Sequence, residues 1–256
     1  MKKLLFVILI VALNISYAQE RPSFISDPAE HFTTDIQENL YIYNGISLKK
    51  YDSEGRLLYQ YGNPSLGNIT TLDASNPAKL VVYYQEAGKI ILLNNKLAPI
   101  GNALDLFEQN LNNITLAALL GTSQLVLFDE SDMDLHIFDI NLHNLSSLHC
   151  NFGADFHPHI LQVTQEKTIL LIDSLKGVYL FDSFGSLDKK IDLFGIEDAQ
   201  MIGKILYFLK GNQLFQYDTQ RLELSEIKTD MKINLKEFRL EQHIYILDTD
   251  GNIHKL

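Results

Sequence analysis

A unit of about forty residues recurs along this chain and constrains its fold more than any other feature. Each copy carries an aromatic or apolar residue followed by Asp or Asn, then two or three turn residues, then an apolar run. The copies stand at Tyr51-Asp52, Leu93-Asn94, Phe138-Asp139, Phe181-Asp182 and Tyr217-Asp218, at intervals of 42, 45, 43 and 36 residues. A period of roughly 20 to 50 residues is typical of chains that stack one supersecondary unit per repeat.

Before each of these positions, two β-type runs are joined by a short polar or Gly-containing turn. Turn residues of this kind supply positive φ or side-chain hydrogen bonds in hairpins, so each pair of runs predicts an antiparallel hairpin. The first runs number six and occupy residues 40–43, 80–84, 125–128, 169–172, 205–209 and 244–247. The turns after them contain Asn44-Gly45, Ala87-Gly88, Ser131-Asp132, Lys176-Gly177, Gly211-Asn212 and Asp250-Gly251.

Two further strands complete each unit. One is predicted after the aromatic-Asp turn, at residues 57–61, 97–100, 145–150, 187–193 and 222–227. The other precedes the hairpin, at residues 32–36, 69–72, 114–118, 160–163, 199–202 and 233–238. Four strands per copy predict an all-β fold, a six-bladed β-propeller of four-stranded antiparallel blades. Residues 104–111 have the best helical period and are predicted as a short helix or loop.

Closure of the ring poses a further question, because the sixth copy lacks an outer strand. We expect residues 22–26 to fill that place, so that the two ends of the chain close the ring. The alternatives are an incomplete last blade or a gap left for a seventh blade.

The repeat resembles a known class. Residues 51–62, together with residues 169–190 and their Asp173, Gly177 and Phe181-Asp182, are similar to the repeats of NHL-like and YWTD-like six-bladed propellers. The resemblance spans nearly all of the chain after residue 18 and implies the propeller fold. It implies no particular function, because propellers carry unrelated activities.

The first residues predict export from the cytoplasm. Lys2 and Lys3 precede ten uncharged apolar residues at positions 4–13, and Ser16-Tyr17-Ala18 places small residues where a signal peptidase cuts. We therefore expect a signal peptide at residues 1–18, a single propeller domain at residues 19–256, and a periplasmic or extracellular bacterial protein. No later run is long enough to predict a transmembrane helix.

Charge and cysteine content narrow the possible partners. The formal net charge of −11 becomes −13 without Lys2 and Lys3, which disfavours nucleic acid as a partner. A single cysteine, Cys150, allows neither an internal disulfide nor a cysteine-based zinc cluster, and its apolar neighbours predict a buried strand residue.

Polar residues recur where the inner strands begin, and these are the candidate binding residues. They are His31, Asn68, Asn113, His157, Asp198 and Asn234, joined by Asp155 and His159 in the loop before the fourth inner strand. Some relatives of this fold hold a catalytic cation on the axis with carboxylates and Asn, but this ring holds a single carboxylate, which suits Ca²⁺ poorly. We predict no cofactor, no metal and no catalytic residue.

Three functions follow from these observations. The first is a monomeric, non-catalytic binding module of the cell envelope that engages a protein, or else a polysaccharide, through one loop face and the axial opening. The negative charge favours a neutral or basic partner surface. The second is a metal-dependent hydrolase or lactonase of the same fold, and the third is a scaffold with two featureless faces.

Overall fold

The computed structural model describes residues 23–25, 27–153, 155–229 and 233–256. The predicted signal peptide, and Pro22 and Ser26 of the predicted closing strand, lie outside the described residues. Among those described, no helix has the length and apolar character needed to span a membrane.

The strands form six antiparallel sheets, each built from consecutive strands in chain order. In blades one and two these are β1 (His31–Thr34), β2 (Leu40–Asn44), β3 (Ser47–Tyr51), β4 (Leu57–Gly62), β5 (Thr71–Asp73), β6 (Leu80–Tyr84), β7 (Lys89–Leu93) and β8 (Leu104–Asp105). In blades three and four they are β9 (Ile114–Leu120), β10 (Gln124–Asp129), β11 (Asp134–Asp139), β12 (Asn144–His149), β13 (Ile160–Val163), β14 (Ile169–Asp173), β15 (Gly177–Phe181) and β16 (Leu187–Ile191). In blades five and six they are β17 (Asp198–Ile202), β18 (Ile205–Lys210), β19 (Gln213–Asp218), β20 (Glu223–Ile227), β21 (Leu235–Leu240), β22 (Ile244–Asp248) and β23 (Ile253–Lys255). The predicted six-bladed β-propeller is confirmed.

Hydrophobic clusters between successive blades close this ring. Among the described residues, each of six clusters draws its side chains from two neighbouring sheets, including one that joins blade six to blade one. Both faces of a middle strand are therefore covered, as in β14, where all five residues of Ile169–Asp173 are buried. This burial explains why such strands read as continuous apolar runs, since each fully buried Leu or Ile stabilises the fold by about 1.5–3 kcal/mol.

The last blade is completed by the segment that precedes β1. Among the described residues blade six has three strands, and Ile25 forms an antiparallel bridge with Ile253 on the free edge of β23. The N–H of Phe24 donates to the carbonyl of Ile253 at 2.6 Å, and the N–H of Ala29 donates to that of Gly251 at 2.9 Å. The described part of the predicted closing segment thus pairs where expected, as a bridge rather than a full strand.

One strand of blade two was predicted in the wrong place. Residues 97–100 form a turn and an isolated bridge from Pro99 to Leu93, and the outer strand is β8 instead. Leu97 has a left-handed φ of 59° and is 3% exposed. It was predicted to begin a strand because it is apolar, but it is a buried turn residue. Residues 104–111 contain β8 and the 3-10 helix Phe107–Gln109.

The inner strands β1, β5, β9, β13, β17 and β21 surround the axis. Each begins beside the turn between the second and third strands of its own blade; for example, the N–H of Glu130 donates to the carbonyl of Asn113 at 3.1 Å. We call this side of the ring the start face. The opposite side, where the inner strands end, is the end face.

Candidate functional site

A cavity of about 850 Å³ occupies the axis of the ring. Its lining includes His31 and His159 near the starts of inner strands and Ile36 and Gln242 beyond their ends, so it runs from the start face toward the end face.

The inner strands are edge strands, and side chains from neighbouring blades satisfy their free N–H groups. The N–H of Phe238 donates to Asp198 Oδ2 at 2.8 Å, and that of Leu240 donates to Gln200 Oε1 at 2.7 Å. Equivalent bonds join Leu119 to Asp73, Met201 to Gln162 and Phe32 to Glu237, at 2.7, 2.7 and 3.1 Å. A buried N–H left without such a partner costs about 1–3 kcal/mol, so these side chains hold the ring together while they line the cavity.

Carboxyl groups dominate the charge of the lining. The lining contains two cationic side chains, Lys236 and Arg239, and seven carboxyl groups. The carboxyl groups are those of Asp35, Asp73, Glu166, Glu197, Asp198, Glu237 and Glu241. Within the described residues, Asp73, Glu166, Glu197 and Glu241 form no ion pair. The cavity is therefore acidic.

Asp198 and Arg239 form a buried ion pair in the wall. Arg239 Nη1 lies 2.7 Å from Asp198 Oδ2 and also donates to the carbonyl of Phe238. Burial raises the pKa of Asp198, and the Arg239 charge offsets part of that effect. Burial alone would lower the pKa of Arg239, but Asp198 and Glu237 outweigh it and raise that pKa. Each charge thus offsets part of the free-energy cost of burying the other.

Glu237 lies at the junction of blade six with blade one. Its Oε1 is 2.6 Å from Nδ1 of His31, which is stacked on Tyr43, and its Oε2 accepts the N–H of Phe32. Burial works to raise the pKa of Glu237, but His31 and Arg239 outweigh burial and lower it. Glu237 is therefore a carboxylate engaged on both oxygens.

Glu241 is a carboxyl of a different kind, toward the end face. Its Oε1 accepts from Thr34 Oγ1 at 3.0 Å and lies 3.5 Å from Gln200 Nε2. Burial raises the pKa of Glu241, the two hydrogen bonds lower it, and the carboxylates of Asp35 and Glu38 raise it further. No cation in the described part of the chain compensates its charge.

Three of the eight residues predicted from the sequence line the cavity: His31, His159 and Asp198. The other five lie outside it on the start face. They are Asn68, Asn113, Asp155, His157 and Asn234. Several of these contact the adjacent turns: Asn113 Nδ2 donates to Ser131 Oγ at 3.1 Å, and the carbonyl of Asn234 accepts the N–H of Thr249.

The two histidines of the segment from Asp155 to His159 lie in different places. His157 Nδ1 lies 2.5 Å from Glu130 Oε1, whereas the His159 side chain lines the axial cavity. Asp155 is exposed, with its carboxylate 3.9 Å from Lys176 Nζ. Among the described residues, no three His, Cys, Asp or Glu side chains are grouped as a metal site.

Cys150 lies just after β12 rather than within it and is 1% exposed. Burial raises the pKa of its thiol to about 12. A thiolate is the reactive form of cysteine, so this residue is part of the core, as its neighbours predicted.

Five polar residues of the cavity wall were not predicted from the sequence: Gln162, Gln200, Glu237, Arg239 and Glu241. A signal for them was present. Polar residues alternate at positions 198 and 200 of β17 and at 237, 239 and 241 at the end of β21, which is the period of one face of a strand.

Comparison with known proteins gives the fold. No protein-family model and no curated protein sequence matches this chain. The Pan2 WD40 domain of Neurospora crassa superposes with a TM-score of 0.61 at 11% identity, covering 89% of this chain and 75% of that one. Virginiamycin B lyase from Staphylococcus aureus gives 0.57 at 12% identity, covering 88% and 82%. A streptogramin B lyase gives 0.57 at 13% identity, covering 92% and 84%. At such identities the similarity shows the β-propeller fold alone.

Proposed function

We propose that this chain is a non-catalytic binding module, exported to the cell envelope, that engages a protein partner through its axial cavity and the loops around it. The observation that carries the proposal is the imbalance of charge in that cavity, where seven carboxyl groups face two cationic side chains. Such a lining attracts a neutral or basic surface and repels an acidic one.

The inter-blade hydrogen bonds support the same reading. Asp198, Gln200 and Glu237 each accept an N–H from the next blade, so their positions are set by the fold before any partner arrives. A site whose groups are already ordered loses less entropy when it binds. A polysaccharide is the less favoured partner, because neutral sugars gain little from excess negative charge.

Site-specific photo-crosslinking in the native host tests this proposal. A photoreactive residue would replace His159 or Ile36, which line the cavity toward the two faces, and Glu223 at the outer edge would serve as the control. We expect a discrete crosslinked protein from at least one cavity position and none from position 223. Equal labelling at all three positions, or none from the cavity, would contradict a binding role for the axis.

A metal-dependent enzyme is the second candidate, favoured by two observations. His31 and His159 line the same cavity as Asp198, and two proteins of similar structure are lyases by name. Metal content by mass spectrometry, on protein purified without chelator, separates the two functions. A stoichiometric cation that is lost in Asp198→Asn would favour the enzyme, and metal-free protein would favour the binding module.

A further inference from the structure

The end of the axial cavity toward the end face combines a lone carboxyl group with exposed aliphatic side chains. Glu241 lies there between Thr34 of blade one and Gln200 of blade five, and both bonds fall on the same oxygen, Oε1. Its second oxygen, Oε2, has no hydrogen-bond partner among the described residues. Glu241 therefore lines the cavity with one of its two carboxylate oxygens still available to accept a hydrogen bond.

Neighbouring acids differ from Glu241 because each has a cationic or titratable partner. Asp35 lies 3.9 Å from Lys50 Nζ, and Glu38 lies 2.7 Å from His243 Nδ1. Glu241 has neither kind of partner. Burial raises its pKa, and the charges of Asp35 and Glu38 raise it further. A cation placed beside Oε2 would relieve that penalty.

Two isoleucines line the same end of the cavity. Ile202 follows Gln200 by two residues in β17, and Ile36 follows Thr34 by two, so both stand next to the residues that hold Glu241. Ile36 is 53% exposed and Ile202 is 42% exposed. Large aliphatic side chains left open beside a carboxyl suit a ligand that is apolar along its length and charged at its tip.

We propose that this end of the axial cavity binds a primary ammonium group carried on an aliphatic chain, with Glu241 as its counter-ion and Ile36 and Ile202 beside the chain. A lysine side chain of a partner protein and a free diamine share this chemistry. The proposal deepens the binding function proposed above and rests on it.

The geometry favours an ammonium over a guanidinium group. An arginine fork is best matched by both oxygens of a carboxylate, and Oε1 of Glu241 is already occupied by Thr34 and Gln200. An ammonium group is a compact charge with three donors and needs a single free oxygen.

Titration calorimetry on the full mature protein tests the proposal with small probes. These are Nα-acetyl-lysine methylamide, 1,5-diaminopentane, the norleucine counterpart of the lysine probe, which keeps the chain without the charge, and the arginine counterpart. We expect the lysine probe or the diamine to bind, and the norleucine and arginine probes to bind at least about tenfold more weakly. Binding of the diamine alone would indicate a free amine as ligand, and binding of the lysine probe would indicate a protein side chain.

Variants assign the site. Glu241→Gln should weaken ammonium binding by about tenfold or more, whereas Glu223→Gln, the same change at the outer edge of blade five, should leave it unchanged. Ile36→Ser with Ile202→Ser removes the exposed aliphatic contacts and keeps the charge, so it tests the site even if Glu241→Gln fails to fold. We expect that pair to weaken binding about fivefold.

Three results would overturn the inference: equal binding of the norleucine probe, no binding of either amine, or equal effects of the substitutions at 241 and 223. If any one of them occurred while crosslinks from the cavity persisted, the proposed ammonium site would be wrong and the proposed binding module would stand. Loss of the crosslinks as well would remove both.

Discussion

Asp198, predicted from the sequence as a candidate binding residue, also joins two blades in the structure. Its carboxylate accepts the N–H of Phe238 and pairs with Arg239, so it joins two blades in the wall of the cavity. The Asp198 side chain is 10% exposed and that of Arg239 is 20% exposed. A pair this buried is sensitive to loss of one partner, which leaves the other charge without compensation.

Arg239→Met should therefore lower the free energy of unfolding by about 3 kcal/mol, because it strands the buried Asp198 carboxylate. Adding Asp198→Asn should restore at least about half of that loss, since the uncompensated charge is then gone. Urea unfolding monitored by circular dichroism measures both. Arg221→Met is the control, because Arg221 is 75% exposed beside Asp218 and its loss should change stability by less than about 0.5 kcal/mol. Equal losses at 239 and 221 would contradict this account.

Residue types at strand starts led to His31, His159 and Asp198, which line the axial cavity. Asn113 and Asn234 lie outside the cavity on the start face, because the last residue before an inner strand bonds the neighbouring turn of its own blade. The prediction from strand starts also missed Glu237 and Glu241, which follow a shift of register in β21 between Leu235 and Glu237. The alternation of polar residues at 237, 239 and 241 indicates that they share a face, but a bulge before them decides whether that face is turned toward the cavity.

At the level of elements, four of the five recurrent Asp or Asn residues share one turn geometry. The side-chain oxygens of Asp52, Asn94, Asp139 and Asp182 each accept the N–H groups two and four residues later. The residue three positions later has a left-handed φ, at Gly55, Leu97, Leu142 and Gly185. The sequence repeat is thus the repeat of a turn, and it locates blades more reliably than it locates strand ends.

Leucines in left-handed turn positions give a paired prediction. Leu222, in the turn after β19, has a φ of 59° and is 63% exposed, so Leu222→Gly should raise stability by about 0.5 kcal/mol as strain is relieved. Leu142 has a φ of 62° but is 7% exposed in the cluster between blades two and three, so Leu142→Gly should cost about 2 kcal/mol or more. Chemical denaturation compares the two. A loss in Leu222→Gly as large as that in Leu142→Gly would show that its φ carries no strain.

Blade two shows where reasoning from the repeat stops. Its apolar residues 97–100 follow Asn94 just as the outer strands of other blades follow their turns, yet Leu97 is buried within the turn. The outer strand forms seven residues after Leu97, at Leu104–Asp105. Tertiary packing determines where the outer strand forms, and the sequence alone does not distinguish an apolar run in a buried turn from one in a strand.

For the whole molecule, the junction of blade six with blade one is where the two ends of the chain meet, and acid–histidine pairs cross it. His31 pairs with Glu237 and His243 pairs with Glu38, at 2.6 and 2.7 Å. Burial works to raise the pKa of Glu38, but His243 and Lys255 outweigh it and lower that pKa below its ordinary value of 4.5. The junction therefore depends on these acids being ionised.

Acid should weaken this junction in a predictable direction. A carboxyl whose pKa is lower in the folded state stabilises the fold above its ordinary pKa, and that contribution is lost as the pH falls through the folded value. The stability advantage of the wild type over Glu38→Gln should thus be constant near neutral pH and shrink below about pH 4.5. Comparing the two proteins isolates Glu38 from Asp198 and Glu241, whose raised pKa values act in the opposite direction. An advantage independent of pH would show that Glu38 does not act through its charge.

Closure of the ring is the central claim, because the axial cavity is enclosed only if blade six packs against blade one. Hydrogen exchange of the Phe24 and Ala29 amides tests it directly, since both donate to carbonyls of blade six. If the ring is closed as described, both amides should exchange at least about a thousandfold more slowly than in an unstructured chain. Exchange of Phe24 and Ala29 at the unstructured rate, while the amides of β14 stay protected, would show that the segment before β1 does not complete blade six and would contradict this account of closure.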